Sequence, residues 1–476
     1  MTSYSSVNCS TKGRLKKEDA AKTIAEGRNT KCLRDNRLHI IQPTHYSCPS
    51  KRIPHKTKKR ELVTLTLPYL AALVPAEFRI RLTDEQTQNL DLDAPCDCVF
   101  LSITTLNSFR AYDIAENYRK KEIPVVMGGP HCFFHHDEAA KHADAVAIGE
   151  GETLIPRILE DLRSGKLQSI YRAESLHDLR GLPLPRHDLL DPRTFARFRS
   201  VAVQTSRGCP YRCAFCSERY YLGEKYRTRP VDDVIEEIRH TKSRRIHFSD
   251  STFVGKRGHT LQLMEKLVPL SIQWSTLWNA NMVLDRELMT LAKRSGVIHL
   301  NIGVDSINHD TLRSMNKKST PHGRLKEMIK ILRKAEISFS LNFILGWDTD
   351  KLEDFRATLE FVQHNKVPVA FFNAFSPHRG TPVFEDYLEQ GKIRDVDNID
   401  RWPGIGLRAE IYPTNFTAEQ LEENIVYMYR QFYSWRSILH RLRMPTSTSS
   451  LVSWHLNVSQ RKMFSGNGDC TNFDSM

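Results

Sequence analysis

Cys209-Pro-Tyr-Arg-Cys213-Ala-Phe-Cys216 is the stretch that decides the fold and the chemistry of this 476-residue chain. Its three cysteines have the spacing C-x3-C-x2-C and follow a β-branched run, residues 201–206, that predicts a buried strand. Thiolates are the protein ligands of iron–sulfur clusters, and a loop with this spacing can fold around one face of a cluster. No fourth cysteine lies nearby in the sequence, so one iron of a cube would stay open for a ligand that is not protein.

Two simpler uses of these cysteines remain open from the spacing alone. A structural zinc site closes with four ligands, usually in paired C-x2-C or Cys/His knuckles, and a second pair is missing here. Plain core packing of the thiols would need no particular spacing. The pattern therefore favours a cluster over either alternative.

The cysteine spacing, with Gly208 before the first cysteine and Phe215 before the last, resembles the signature of the radical S-adenosylmethionine (radical SAM) superfamily. The resemblance implies a 4Fe-4S cluster held by Cys209, Cys213 and Cys216, whose open iron is chelated by the amino and carboxylate groups of SAM. It also implies that an electron from the cluster splits SAM to give a 5'-deoxyadenosyl radical. A donor such as flavodoxin or ferredoxin would supply that electron.

Composition indicates a globular protein with two or three domains, since the chain is long and 40% of its residues are hydrophobic. No apolar run reaches the length that a bilayer requires, and the polar, lysine-rich start lacks the apolar core of a signal peptide. Ten cysteines, seven of them scattered outside the loop, suit a reducing compartment better than a disulfide framework. We therefore expect a cytoplasmic protein without a membrane span.

The net charge of +13 is concentrated at the start of the chain. Residues 1–60 carry 15 Lys and Arg against 4 Asp and Glu, and the remainder is close to neutral. The basic stretch 51–60 could grip phosphates, but it has no interleaved aromatic residues, which favours a solvated segment. Nucleic acid is therefore not an expected partner, and residues 1–36 are predicted to form a loose polar extension.

Residues 37–170 alternate between strand and helix patterns. The strand-type runs are 38–42, 78–82, 99–103, 125–127 and 145–148. Helical patterns lie between them at 62–74, 107–120 and 135–142, and another follows the last run at 152–164. This alternation predicts a doubly wound parallel sheet of the Rossmann type, in which ligands bind beyond the carboxyl ends of the strands.

Those carboxyl ends are rich in small and polar residues. The candidates for ligand contact are Thr104, Gly128, Gly129, His131, Gly149, Glu150 and Gly151. Glycines let a backbone approach a large flat ligand, although the same glycines could simply make tight strand-to-helix turns. The fingerprint G-x-G-x-x-G is absent, which disfavours a dinucleotide.

The order Gly-Gly-Pro-His (128–131), acidic helix and Ala-Asp-Ala-Val-Ala-Ile-Gly-Glu-Gly-Glu (143–152) resembles the cobalamin-binding domain of the B12-dependent radical SAM class. The resemblance implies a corrinoid on the carboxyl ends of this sheet, in contact with the candidates above. The Asp-x-His-x-x-Gly signature, in which a histidine ligates cobalt, does not occur here. The lower axial ligand is therefore unassigned, and His131 is interpreted as a polar loop histidine.

A proline-containing linker, 171–195, leads into a second run of strand and helix patterns, 196–395. Its six strands predict a partial (β/α)6 barrel, the fold that the radical SAM resemblance also implies. Asp250 follows the second strand, and Asp305 and Ser306 follow the fourth, in a Gly-Val-Asp-Ser sequence similar to the family's Gly-x-Glu-Ser. These three residues are the candidates for binding SAM, although Asp and Ser also favour caps and turns.

The remaining residues are predicted to complete the barrel without chemistry of their own. Residues 376–384 resemble the family's Pro-Gly-Thr-Pro turn, in which His378 and Arg379 could touch substrate. Residues 396–445 are interpreted as a small helical segment with one long helix, 418–443, that begins at a capping box on Thr417. Residues 446–476 are predicted to be a disordered tail.

The two resemblances together imply a cobalamin-dependent radical SAM enzyme that methylates an unactivated carbon of a small-molecule substrate. One SAM would methylate cobalamin and a second would yield the radical that activates the substrate. Two alternatives remain open, which are cyclisation, rearrangement or oxidation with the same cofactors, and a non-catalytic iron–sulfur protein. No residue is assigned as a catalytic acid or base.

Overall fold

The computed structural model describes residues 33–48, 51–401 and 406–464, which build two all-parallel sheets. Four additional short strands form two antiparallel pairs, Tyr46–Cys48 with Ile53–Pro54 and Ser206–Arg207 with Arg227–Thr228. The strands of the two sheets, in chain order, are β1 (Arg37–Gln42), β2 (Arg60–Val63), β3 (Arg79–Asp84), β4 (Cys98–Ser102), β5 (Val125–Gly128), β6 (Ala145–Ile148), β7 (Ile170–Arg172), β8 (Phe195–Val203), β9 (Arg245–Phe248), β10 (Gln273–Asn279), β11 (Val297–Asp305), β12 (Ser338–Leu345) and β13 (Val369–Ala374).

The helices connect these strands and cover the sheets. In chain order they are α1 (Thr66–Ala72), α2 (Ser108–Lys120), α3 (Pro130–Phe134), α4 (His136–His142), α5 (Gly151–Arg163), α6 (Glu218–Tyr221), α7 (Val231–Thr241), α8 (Arg257–Leu267), α9 (Arg286–Arg294), α10 (His309–Ser314), α11 (Leu325–Lys334), α12 (Leu352–His364), α13 (Pro382–Glu389), α14 (Ala418–Phe432), α15 (Trp435–Arg441) and α16 (Thr448–Phe464).

The first sheet has six parallel strands in the order β3-β1-β4-β5-β6-β7. Its strands read as nearly continuous apolar runs, as expected for a sheet buried on both faces. Two separate hydrophobic clusters cover it, one that includes Ile40 and Phe100 and one that includes Ile41 and Leu101. The predicted doubly wound architecture is therefore confirmed, with one more strand, β7, in a stretch interpreted as the start of the linker.

The second sheet has seven parallel strands in the order β13-β12-β11-β10-β9-β8-β2. Six of them are the predicted barrel strands, and their helix-facing residues form the largest core of the molecule. The opposite face carries polar side chains that bond across strands, such as His299 Nδ1 to Ser338 Oγ at 2.8 Å and Ser340 Oγ to Asn301 Oδ1 at 2.9 Å. The sheet is thus an open half-barrel with a polar inner face, in agreement with the predicted fold class.

Strand β2 departs from the expected division into consecutive domains. It precedes most of the first sheet in sequence, but it pairs in parallel with β8, with Leu62 opposite Ser200 and Val63 opposite Val201. The prediction of a helix over 62–74 is wrong in its first part, because α1 begins only at Thr66. The chain therefore enters the barrel sheet once before it completes the first domain.

The C-terminal region is more ordered than predicted. The expected helix 418–443 ends at Phe432, and Ser434 caps a new helix, α15, by accepting from the backbone N–H of Ser437. The prediction of disorder over 446–476 is wrong for α16, which packs on the half-barrel through a Ser453 to Ser338 hydroxyl contact of 2.8 Å. Residues 465–476, and most of the predicted extension 1–36, lie outside the described residues.

No helix in the described part of the chain combines the length and the apolar character that crossing a bilayer requires.

Candidate functional site

The cysteine loop follows β8 and lies between the two short antiparallel strands Ser206–Arg207 and Arg227–Thr228, where it packs on the segment just before the second strand. Gly208 has a φ of +83°, and a Cβ there would lie 2.5 Å from the carbonyl oxygen of Lys225. Cys209 N–H donates to the Gly223 carbonyl at 3.4 Å, and Cys216 N–H donates to the Cys213 carbonyl at 3.2 Å. The glycine before the first cysteine is thus required by close backbone packing, which shapes the loop.

The three cysteines are free thiols in a largely enclosed setting, with Cys213 buried and Cys209 and Cys216 partly exposed. Burial raises the pKa of all three thiols, that of Cys213 to about 11, and the Lys317 ammonium lowers the pKa of Cys209 and Cys213. Enclosed thiols of this kind become thiolates when a metal supplies positive charge. They therefore fit an iron–sulfur cluster.

Among the described residues, no three His, Cys, Asp or Glu side chains are placed to hold a single metal ion. A cluster does not need that arrangement, because each thiolate ligates a different iron.

Lys317 forms a buried ion pair with Asp305 beside the cysteines, with Lys317 Nζ at 2.5 Å from Asp305 Oδ2. Burial lowers the pKa of Lys317, but the charges of Asp305 and Cys213 outweigh burial and hold that pKa above its usual value. Asp305 has a φ of +67°, and Gly303 leaves room for the pair, since a Cβ there would lie 3.3 Å from the ammonium. Sequence reasoning missed Lys317, although only one short helix, α10, separates it from the Gly-Val-Asp-Ser sequence.

Asp250 holds the end of β8 in the position from which the cysteine loop starts. Its carboxylate is 1% exposed and accepts from Thr205 N–H at 2.8 Å, Thr205 Oγ1 at 2.9 Å and Ser206 N–H at 2.6 Å. Burial raises the pKa of Asp250 to about 6, although these hydrogen bonds oppose the shift. The predicted contact between Asp250 and SAM remains a prediction.

Ser306 stands at the end of β11 next to Asp305. Its hydroxyl accepts from the Asn308 N–H at 3.0 Å, so Ser306 has the turn-forming role that serine often has. Its contact with SAM, like that of Asp305, remains a prediction. Both side chains are buried at the end of the barrel that carries the cysteine loop.

A cavity of about 460 Å³ opens between the carboxyl ends of the two sheets. Apolar side chains from α1 and from both sheet ends form much of its wall, and the barrel side contributes Gln204, Arg207 and Ser249. Five of the predicted ligand-contact residues line it: Gly128, Gly129, Gly149, Glu150 and Gly151. An apolar wall with glycine backbone at the strand ends fits a large flat ligand such as a corrinoid.

The alternative role of these glycines, a tight turn after a strand, also holds at Gly129 and Gly149. Gly129 has a φ of +105°, and a Cβ there would lie 2.6 Å from the carbonyl oxygen of Ile103. Gly149 has a φ of +119°, and its Cβ would lie 2.7 Å from the Ala173 Cβ. Gly129 and Gly149 therefore both form turns and line the cavity.

Two predicted residues do not reach the cavity wall. Thr104 is exposed and takes part in a capping box at the start of the turn that leads into α2, where its N–H donates to Asn107 Oδ1 at 2.8 Å. His131 is 0% exposed in α3, with Nε2 at 2.7 Å from the Tyr112 hydroxyl and Nδ1 at 3.3 Å from Thr105 Oγ1. Burial lowers the pKa of His131 to about 3. The interpretation of His131 as a polar loop residue is wrong, because His131 lies in a helix and both its ring nitrogens contact hydroxyl groups inside the protein.

Glu150 uses its carboxylate to join the two domains. Arg207 Nη1 lies 3.0 Å from Glu150 Oε1, and Arg227 Nη2 lies 2.8 Å from the same oxygen. Arg207 also contacts Glu152 at 2.7 Å, and the Tyr69 hydroxyl donates to Glu152 at 2.6 Å. Burial raises the pKa of Glu150 and Glu152, but the arginines outweigh burial and lower both. Arg207 was not predicted, because nothing local marks a residue whose partners are so distant in sequence.

The loop after β13 closes the barrel against the first domain. His378 Nδ1 lies 2.7 Å from Asp400 Oδ2, and the Ser376 hydroxyl donates to the other oxygen of Asp400 at 2.7 Å. A Cβ at Gly380 would lie 2.9 Å from the Phe134 ring of α3, so the two domains touch here as well. The His378 side chain is 44% exposed, so solvent reaches it although it is paired with Asp400.

Two family models match the chain in adjacent segments. The model of the radical SAM superfamily matches residues 203–362, and the model of the N-terminal region of radical SAM proteins matches residues 97–184. The first match covers the half-barrel from β8 to α12 and includes all three cysteines. The second covers most of the sheet that faces the cavity.

Curated relatives match over most of their length. The bacteriochlorophyllide d C-12(1)-methyltransferase of Chlorobaculum tepidum is 28% identical over 84% of this chain and 89% of its own. The C-8(2)-methyltransferase of the same organism is 25% identical over 83% and 91%. The hopanoid C-2 methylase of Rhodopseudomonas palustris is 24% identical over 69% and 65%.

Solved structures with a similar fold include two enzymes with cobalamin bound. The radical SAM methyltransferase TsrM from Kitasatospora setae, with cobalamin and a 4Fe-4S cluster bound, aligns with a TM-score of 0.61 and 16% identity over 90% of this chain and 89% of its own. The cobalamin-dependent radical SAM enzyme OxsB, with aqua-cobalamin and SAM bound, aligns with a TM-score of 0.62 and 16% identity over 90% and 71%. Both likenesses concern the fold, in which a doubly wound domain faces a half-barrel.

Proposed function

Because the chain belongs to the cobalamin-binding class of the radical SAM superfamily, we propose that it transfers a methyl group to an unactivated carbon of a small-molecule substrate. One observation carries this proposal: the carboxyl ends of both sheets face the same cavity, and the cysteine loop contributes Arg207 to its wall. A cofactor bound on the first sheet and one held by the cysteine loop would therefore face each other across this cavity.

The cofactors are a 4Fe-4S cluster, SAM and cobalamin. When bound, the cluster supplies the electron that cleaves SAM, and cobalamin carries the methyl group. Cys209, Cys213 and Cys216 would hold the cluster, and the glycine turns at Gly129 and Gly149 would let the corrinoid lie against the strand ends. Asp250, Asp305 and Ser306 are proposed to bind SAM from the barrel side.

The side chains around the cavity exclude water and fix the distance between the first sheet and the cysteine loop. A hydrophobic cluster that includes Trp347, Phe375 and Phe384 packs against Phe215 of the cysteine loop. The Glu150–Arg207 pair sets the separation between the first sheet and the cluster loop. Radical chemistry requires a dry, rigid site of this kind because reactive intermediates are easily quenched.

The substrate is proposed to be a large, mostly apolar molecule. The relatives act on bacteriochlorophyllides and hopanoids, and these compounds are extended and predominantly hydrophobic. A half-barrel open on one side admits a molecule of that size more readily than a closed barrel would.

The electron donor is proposed to be a small acidic redox protein such as flavodoxin or ferredoxin, in the cytoplasm, where free thiols are kept reduced. Arg212 and Lys225 are exposed on and beside the cysteine loop and would attract an acidic surface. Reduced flavodoxin should therefore support SAM cleavage, and the rate should fall with rising salt concentration. A rate that does not depend on salt would contradict this docking mode.

The test is anaerobic purification from cells supplied with cobalamin, followed by iron and cobalamin analysis and a turnover assay on candidate bacteriochlorophyllide and hopanoid substrates. We expect about four irons and one cobalamin per chain, and S-adenosylhomocysteine together with 5'-deoxyadenosine in turnover. A Cys213→Ala variant is the matched control and should lose iron and SAM cleavage. Formation of 5'-deoxyadenosine without S-adenosylhomocysteine would overturn methyl transfer in favour of cyclisation, rearrangement or oxidation.

A further inference from the structure

A second cavity lies at the opposite end of the half-barrel from the cysteine loop. Its volume is about 710 Å³, and it is lined by α11, by the segment between α12 and β13 and by the start of α16. Ser338 and Pro368, at the amino ends of β12 and β13, form part of its floor. Because β12 has eight residues, this groove lies about 26 Å from the strand ends that carry the site. It is therefore separate from the cluster and from the cobalamin cavity.

The groove is strongly basic. Besides the buried Arg441, six cationic side chains line it: Lys326, Lys330, Arg333, Lys334, Lys366 and Arg443. Among the described lining residues Glu336 is the only acid, and none of the six cations makes a salt bridge to another described residue. Unpaired cations around one concave surface attract anions and repel a second copy of the same chain.

Large apolar side chains project into water on the wall of the groove and on the two helices that contribute to it, α15 and α16. Met444, which lines it, is 76% exposed, and Leu439, in the last turn of α15, is 64% exposed. Leu451 is 57% exposed on α16, one turn from the lining residues Ser447 and Trp454. The C-terminal segment 439–451 thus exposes apolar side chains beside the basic groove.

The same end of the barrel carries another combination of this type. Phe198, near the start of β8, is 69% exposed, and its ring lies 5.7 Å from the guanidinium of Arg197 and 5.3 Å from that of Arg245. Exposed apolar residues among cations are typical of surfaces that enter the interface of an anionic bilayer, where apolar groups insert and cations meet phosphates. A nucleic acid would satisfy the cations but leave the apolar side chains in water.

We propose that this end of the half-barrel, centred on the basic groove, docks on the surface of an anionic lipid bilayer. The cations contact lipid phosphates, and Met444, Leu439 and Leu451 insert among the headgroups. The bilayer would then lie at the end of the molecule opposite the cofactor site.

The test is co-sedimentation of the full-length reconstituted holoenzyme with vesicles, either of phosphatidylcholine alone or of phosphatidylcholine mixed with phosphatidylglycerol. We expect binding to the mixed vesicles only, weakening as salt is raised. A Lys330→Gln/Arg333→Gln variant should bind roughly 25-fold more weakly, at about fivefold per cation. Met444→Ser/Leu451→Ser should weaken binding without changing its dependence on salt.

The matched control is Lys166→Gln/Arg172→Gln, which removes two exposed cations from the first domain and should leave vesicle affinity within about twofold. A second pair in the groove, Lys326→Gln/Lys334→Gln, should repeat the loss in an independently folded variant, and circular dichroism checks that each variant is native. Equal binding by the groove variants and the control would overturn the proposal, as would equal binding to vesicles without phosphatidylglycerol. Binding to an RNA oligonucleotide but not to vesicles would assign the groove to nucleic acid instead.

Discussion

Arg207, two residues before the first cluster cysteine, forms a buried ion pair with Glu150, which follows a strand of the first sheet, at 3.0 Å. The contact spans the boundary between the two domains. It makes the position of the cysteine loop depend on the sheet that would carry cobalamin, and not only on the barrel from which the loop emerges.

Replacing Arg207 by Met should lower the free energy of unfolding by about 3–5 kcal/mol, because Glu152 would be left buried without a cation. Glu150 retains Arg227 and is less affected. Urea unfolding measures the loss. The double variant Arg207→Met/Glu152→Gln should recover part of it, since the uncompensated charge is removed. Losses that simply add would show that the two side chains do not interact.

The Lys317–Asp305 pair should tune the reduction potential of the cluster. Lys317→Met leaves one negative charge near the cysteines and should shift the potential downward by on the order of 50–100 mV. Asp305→Asn should shift it upward by a similar amount. The double variant removes both charges and should lie close to the wild-type value. Titration followed by electron paramagnetic resonance gives all four potentials, and unchanged single variants would place the pair too far from the cluster to matter.

Asp250 combines a structural role with a predicted ligand role, and two substitutions separate them. Asp250→Ala removes three accepted hydrogen bonds and should destabilise the protein by about 2–4 kcal/mol. Asp250→Asn can keep the two backbone contacts through its amide oxygen, so its stability should be nearly native. If the carboxylate binds the SAM ammonium, Asp250→Asn should weaken SAM binding about tenfold. Native SAM affinity in that variant would reduce Asp250 to a positioning residue.

Gly129→Ala should destabilise the first domain by about 2–4 kcal/mol, because its backbone conformation is open essentially to glycine alone and its Cβ would meet the Ile103 carbonyl. Cobalamin content should fall with it. The control is Gly258→Ala in α8, where a Cβ meets nothing within 4 Å and a gain of up to about 1 kcal/mol is expected. Thermal unfolding compares the two, and equal behaviour would contradict the packing argument.

The His378–Asp400 pair predicts a pH dependence. Burial lowers the pKa of His378, but the hydrogen bond and charge of Asp400 outweigh burial and raise it above 6.5. A histidine with a raised folded pKa contributes stability that is complete below about pH 6.5 and is lost as the pH rises through the folded value. His378→Asn should therefore destabilise the protein at pH 6 by about 1 kcal/mol, allowing for its exposure, and less at pH 9. An equal loss at both values would show that the pair is not ionic.

Local patterns were sufficient for eleven of the thirteen sheet strands and for the cysteine loop, because alternating strand and helix signals and cysteine spacing are encoded within short stretches. Strand β2 was taken for the start of a helix because it runs directly into α1. Strand β7 was missed because three residues give too little pattern to separate a strand from a linker. Helix α16 was missed because its buried face consists of Ser449, Ser453 and Asn457, so it lacks the apolar periodicity that marks a helix.

The site residues divide in the same way. The glycines at the strand ends were found because turn chemistry is local. Lys317 and Arg207 were not, because each acts through partners brought close only by the fold. His131 was placed wrongly because a histidine after Gly-Gly-Pro has the same sequence signature whether its ring faces a cavity or, as here, Tyr112 in the interior.

Strand β2 has a consequence for how the chain is made. It emerges from the ribosome well before β8, its only partner among the described strands, so it has no strand to pair with while the first domain is synthesised. The β2 edge of the half-barrel cannot form until β8 has also been synthesised. Most of the first domain lies between these two strands in the sequence. Neither domain can therefore be released by a single cut in the linker, and folding during translation should end with the joining of the two rather than with each domain in turn.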